Sequence, residues 1–360
     1  MSKAIKYKII LVIDFDIQIY RLQISREIQI LHQIHIQFDS QDHLMRTIIC
    51  SHEADIDGMY SAAVALIKYP DARISFYNYG LKNFRKMFEY IKNEAKKSKK
   101  GLVIISDLGI NDERISDLAL EIIHYVKQRQ WNVVWVDHHP WQKEFLDSLR
   151  KICAIYHDSS GRKCATEIMY EKLSRKDKIA KQLKYIAHSS DFMINVKNHD
   201  SRVSELIHFY RNSSGSGQKL EFLVQKASKG ILWDSEMQEE YLKYIKVAEL
   251  HKSKSLKTLK IRKIRSFNVA FVFTYPLVQS SLFANEVFSN SKADVVMLFN
   301  KHGKVSIRRN TDKISCGMIA SFLIEGGGHE FASGGMLKSN PRHIPSCVSE
   351  MEQAVIKSLE

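Results

Sequence analysis

From Arg46 onward, short runs of β-branched and aromatic residues alternate with stretches of helical periodicity, and few folds accept that alternation. The runs TIICSH (47–52), ARISFYNY (72–79), GLVIISD (101–107), NVVWVD (132–137) and ICAIYH (152–157) read as strands, because such side chains suit a pleated, packed surface. Between them, Met59 to Tyr69, Leu81 to Lys97 and Ile115 to Gln130 carry helical spacing. Strand and helix in turn predict an α/β fold with a doubly wound, mainly parallel sheet. The run VVWV before Asp137 is apolar without alternation, as expected of a strand covered on both faces.

The rhythm stops near Asp200. SSGSGQ (213–218) reads as a polar loop and Lys219 to Lys254 as charged and mostly helical. A second strand-rich unit follows, with SFNVAFVFTY, ADVVMLFN and GKVSIRRN, then a helix through Ile319 to Ile324 and the run GGGHE. The expected organisation is a catalytic domain over 46–218, a helical linker over 219–256 and a smaller α/β domain over 257–360. Residues 1–45, rich in Ile and Gln and without clear helix caps, precede a complete first strand. Residues 1–44 are either a genuine extension or lie upstream of a true start at Met45.

Fifty-four Lys and Arg against forty Asp and Glu give a net charge of +14. That balance suits a polyanionic partner such as nucleic acid, and equally a Lys-rich solvated surface. The five cysteines are scattered and never spaced as CxxC, so they read as reduced thiols and point to a cytoplasmic protein. The N-terminal IILVI run is too short for a membrane span, and no membrane partner is expected.

Acids gather where the strands end. SHEADIDG places His52, Asp55 and Asp57 after the first strand, Asp107 closes the third, Asp137, His138 and His139 close the fourth, and Asp191 follows another apolar stretch. In open α/β sheets the ligand crevice lies beyond the carboxyl ends of the strands, so these residues are expected to converge. Taken singly, Asp57 could cap a helix, Asp107 could be a turn residue, the His pair could be surface and Asp191 another cap. Together, so many carboxylates in one crevice would repel one another and resist desolvation unless cations were bound. A donor set rich in oxygen, with some imidazole and no sulfur, suits manganese or magnesium better than structural zinc.

These residues resemble the motifs of the DHH phosphoesterase superfamily. HEADIDG resembles its first motif, ISDLGIND its second, WVDHHP its third and SSDF its fourth, while GKVSIRRN and GGGHEFASGG resemble motifs of the DHH-associated domain. The resemblance covers about residues 46 to 355. It implies two manganese ions, with magnesium or cobalt as substitutes. His52 and Asp55 would hold one, Asp57, His138 and Asp191 the other, and Asp107 would bridge. Asp137 would orient the histidine pair, His139 would face the scissile phosphate, and water activated by the ions would attack phosphorus in line. The His-x-x-Asp-x-Asp spacing departs from the family's usual first motif, so Glu53 competes with His52 as a ligand; His52 is preferred. Arg308 matches an arginine that grips phosphate, and Gly326, Gly327 and Gly328, with His329 beside them, would let backbone amides approach an anion.

The expected activity is hydrolysis of short single-stranded oligonucleotides or linear dinucleotides to mononucleotides. A RecJ-like exonuclease on longer DNA or RNA is the alternative, kept open by the basic run KKSKK (96–100) and the Lys-rich stretch 252–265. Cyclic dinucleotide or 3'-phosphoadenosine phosphate hydrolysis, a homodimer, and an inactive replication scaffold are also compatible, the last disfavoured because every motif acid is present.

Overall fold

A computed structural model describes residues 45–110, 112–192, 194 and 198–360. The reading of 1–45 therefore lies outside the described residues except at Met45, and Thr47–Glu360 form one compact unit. Its first sheet has five strands, β1 (Arg46–His52), β2 (Arg73–Tyr77), β3 (Gly101–Ser106), β4 (Trp131–Asp137) and β5 (Ala154–His157), in the order β2-β1-β3-β4-β5. The pairs β1–β2, β3–β4 and β4–β5 are parallel. Strand order reverses direction between β1 and β3, which makes the carboxyl ends of those two strands the natural crevice.

Both faces of this sheet are covered. Ile48, Cys50, Val103, Ile105, Val133 and Trp135 pack against Phe84, Met87 and Phe88 of helix Leu81–Ala95 and Ile115, Ala119 and Ile122 of helix Glu113–Lys127. On β1 the next residues, Ile49 and Ser51, are also fully buried, so both sides of the pleat are packed. Helix Ile56–Lys68 packs in turn against helices Ala165–Leu173, Lys178–Asp191 and Ser216–Ser228. Gly58 allows that helix to begin against β1, since a Cβ there would stand 2.3 Å from the His52 carbonyl oxygen.

Helix Ser235–Leu256 packs against helix Asn198–Arg211 and against the second sheet. That sheet comprises β6 (Lys260–Ile264), β7 (Phe267–Thr274), β8 (Val295–Asn300), β9 (Lys304–Arg309), β10 (Ile324–Gly328) and β11 (Ala332–Met336), ordered β10-β11-β9-β8-β7-β6. Only the β7–β8 pair is parallel, and helix Ser280–Asn290 connects those two strands. No described helix is long and apolar enough to cross a membrane.

Two local expectations are corrected. The helix expected through Ile319 to Ile324 spans Cys316–Ala320, and Ile324 opens β10. The loop expected over 213–218 becomes helical at Ser216. The glycine run is a strand paired with β11: a Cβ at Gly326 would meet the Ala320 carbonyl oxygen at 1.7 Å, and Gly328 has φ +133°.

Candidate metal centre

β1 ends in His52, and the turn after it supplies two carboxylates with different partners. Asp55 is the N-cap of helix Ile56–Lys68, its Oδ1 accepting from Gly58 N at 3.0 Å. Such a cap stabilises a helix by ~1 kcal/mol. Asp57, the residue the sequence offered as a cap, sits inside the first turn and is 2% exposed. Its carboxylate instead accepts from the start of helix Ala165–Leu173: Ala165 N at 2.7 Å, Thr166 N at 2.8 Å and the Thr166 hydroxyl at 2.6 Å.

β3 delivers Asp107 in a left-handed conformation, φ +57°, which costs a non-glycine residue energy and redirects its side chain at the strand end. The buried carboxylate stands 3.2 Å from His52 Nδ1 and 3.5 Å from His138 Nε2. His138 also lies 3.7 Å from Asp57 and 3.8 Å from Asp191. Three groups thus bring one donor atom per residue within 4.8 Å of one another: His52, Asp55 and Asp107; Asp57, His138 and Asp191; and Asp107, His138 and His139. Asp191 arrives from the last position of helix Lys178–Asp191, not from a strand end.

Asp137, fully buried, serves His139 rather than the pair. It accepts from His139 N at 3.1 Å, from the imidazole Nδ1 at 2.9 Å and from the Trp141 indole at 2.6 Å. Because a carboxylate only accepts, Nδ1 carries the proton there. The opposite nitrogen, Nε2, meets the Tyr79 hydroxyl at 3.0 Å. Tyr79 also donates to the Asp107 carbonyl at 3.3 Å, and its ring lies 4.6 Å from that of His52. Burial and the nearby Asp107 charge push the Tyr79 hydroxyl well above its usual range, so it stays a donor.

Tyr79 ends the run ARISFYNY at the crevice edge, so its position was legible. Its chemistry was not, because an aromatic at a strand end carries no metal signal. Glu53, the rival to His52, points away: its Oε1 stands 3.4 Å from both Arg211 and Asn78, and it joins none of the three groups.

The electrostatics call for cations. Burial, then repulsion from Asp55 and Asp57, pushes the Asp107 carboxyl up to about 7. Burial and the charge of Asp57 raise Asp191 to about 6. Burial opposes charge on His52, yet bonds to Asp107 and Asp55 outweigh it and lift it to about 10. The same contest lifts His138 to about 9, with Asp107 and Asp57 prevailing. Protons thus occupy places where carboxylates and imidazoles converge. His52 Nε2 and Asp107 Oδ1 are buried without a hydrogen-bond partner. Orphaned donors within a set of oxygen and imidazole ligands fit hard or borderline divalent ions.

Arg308 and His329 do not join this cluster among the described residues. Arg308 donates to its neighbour's carbonyl, Ile307 O, at 2.9 Å, and the exposed His329 stacks on Phe331 with centroids 5.4 Å apart and planes 4° apart.

Residues 46–195 match the family described as DHH family, N-terminal domain. No curated protein matches the chain. An uncharacterized protein from Helicobacter pylori G27 is similar at 19% identity and TM-score 0.36, over 86% of this chain and 99% of that one. An exopolyphosphatase-related protein from Bacteroides fragilis aligns at 15% identity and TM-score 0.49, over 91% of this chain and 95% of its own. RecJ from Thermus thermophilus, in complex with Mn2+, aligns at 13% identity and TM-score 0.46, over 87% of this chain and 52% of its own.

Proposed function

We propose, on the premise that the chain belongs through residues 46–195 to the DHH phosphoesterase superfamily, that it is a manganese-dependent phosphodiesterase cleaving short oligonucleotides or linear dinucleotides to mononucleotides. The observation that carries this reading is the interlocking of three donor groups, two of which share Asp107 and two of which share His138. In the proposal, His52 and Asp55 hold one ion, Asp57, His138 and Asp191 the other, and Asp107 touches both. When bound, two divalent ions neutralise phosphate charge and activate water for in-line attack.

The chain's own residues then have separate tasks. The left-handed turn at Asp107 points its carboxylate at both ligand groups. Asp137 fixes the His139 ring from one side and Tyr79 from the other, so the imidazole reaches a phosphate without a search over rotamers. In the region 257–360, proposed as the substrate-binding domain, the exposed Phe331 and His329 offer a ring surface to a base and Arg308 a fork to a phosphate.

The RecJ-like reading on longer strands is favoured by one observation. β6 is an edge strand, opposite β10 across the sheet, whose Lys260, Ile261, Arg262 and Lys263 are all exposed and offer a basic edge to a polyanion.

Purified protein with manganese, offered an end-labelled ladder from dinucleotide upward, should consume the shortest oligomers fastest. Rapid digestion of long strands with dinucleotides left intact supports the RecJ-like reading instead. Full activity after exhaustive chelation refutes the metal centre.

A further inference from the structure

The first turn of helix Ala165–Leu173 grips two of the proposed ligand-bearing segments at once. Thr166 is fully buried; its amide donates to one oxygen of Asp57, Oδ1, its hydroxyl lies 2.6 Å from that oxygen and 3.0 Å from the Asp57 carbonyl, and Ala165 N takes the other carboxylate oxygen, Oδ2. A carboxylate oxygen has two lone pairs. Oδ1 is therefore the oxygen that Thr166 occupies, and Oδ2 is the atom that lies 3.7 Å from His138 Nε2. The next residue, Glu167, accepts from His188 Nδ1 at 2.7 Å and from Cys164 N at 3.2 Å. His188 stands three positions before Asp191 on helix Lys178–Asp191, close to one helical turn.

We propose that Thr166 and Glu167 are a positioning clamp for the second cation site: Thr166 restricts Asp57 to binding through the single oxygen Oδ2, and Glu167 sets the helix that presents Asp191. The inference rests on the metal-centre reading above. It assigns no contact with substrate to either residue. The clamp lies on one side only, because His52 and Asp55 receive no bond from this helix among the described residues.

Thr166→Val removes the hydroxyl while keeping the shape, and Thr166→Ser keeps the hydroxyl. Manganese titration of the full chain, by calorimetry and by electron paramagnetic resonance of free Mn2+, reads each site directly. Wild type should bind two ions. Thr166→Val should weaken one of them by about 10- to 100-fold and leave the other unchanged, the range found when a group supporting a ligand is lost. Thr166→Ser should stay close to wild type. Glu167→Gln should weaken the same site by a smaller factor, and it carries the test if Thr166→Val does not fold, as judged by its melting transition. Two unchanged affinities in folded Thr166→Val overturn the clamp, as does equal weakening of both sites. If wild type itself binds no manganese, the metal-centre reading fails instead.

Discussion

At the carboxyl edge of the five-stranded sheet, Asp57, Asp107 and Asp137 are at most 2% exposed and each has a fixed set of partners. On the six-stranded sheet, Phe331 is 62% exposed and its stacking partner His329 is exposed too. The contrast suits the two tasks proposed for these regions. Groups that hold cations gain from low dielectric and a preset geometry, since repulsion among them raises the affinity for positive charge. Groups that meet a substrate must stay reachable. Removing a residue from the first sheet should therefore damage chemistry or metal binding, and removing one from the second should damage binding of substrate.

The largest effect is expected at Asp107. Asp107→Asn should lower turnover by about 10³-fold or more, ~4 kcal/mol of barrier, because the proposal gives it alone contact with both ions; retention of a tenth of wild-type activity argues against bridging.

Next comes pH. His52 and His138 titrate near about 10 and about 9 in the folded protein, above their ordinary 6.5. Their contribution to stability is complete below about 6.5 and lost as pH rises through those values. Asp107, raised from 3.8 to about 7, acts in the same direction over a lower window. The metal-free protein should thus melt at progressively lower temperature from pH 6 to 10. Manganese affinity should climb from pH 6 to 8, with proton release visible as a buffer-dependent heat. A flat melting profile would show that these groups do not carry protons in the folded state.

Arg308→Ala should raise the Michaelis constant by about tenfold and lower turnover by less, with manganese affinity unchanged. Some loss of turnover is expected if gripping substrate also completes the site. The penalty should be larger on dinucleotides than on long strands; equal penalties favour the RecJ-like alternative, and weakened manganese binding would erase the contrast between the sheets. Tyr79→Phe should reduce turnover several-fold without moving manganese affinity, since it touches His139 and the Asp107 backbone. Smallest of all, Glu53→Gln should leave metal binding within about twofold, because its partners are Arg211 and Asn78.

The first sheet was legible in the sequence because its strands are β-branched and apolar on both faces, so their ends, and the acids there, stood out. Four things were not. Asp191 followed an apolar stretch that resembled the others, and only the helical packing of Ala180, Leu183 and Ala187 reveals the element. β10 and β11 are half glycine, which has low strand propensity and is required at Gly326, Gly328, Gly334 and Gly335 by close approach of neighbouring atoms. β6 reads as a basic stretch because an edge strand with four exposed residues has little apolar pattern. The role of Thr166 was hidden by distance, since its bond to Asp57 spans 109 positions.

That span has a consequence for the order in which the molecule comes into being. His52, Asp55 and Asp107 have all been synthesised once the ribosome has passed the third strand of the sheet. The other ligand group needs Asp191, and Asp57 acquires its fixing bonds only when Thr166 has been made and has docked. A nascent chain halted between those points lacks Asp191 and the bonds that Ala165 and Thr166 make to Asp57. The second ligand group is therefore completed later than the first, and on the two-ion reading a second bound ion would be a sign that synthesis and folding have reached at least residue 191.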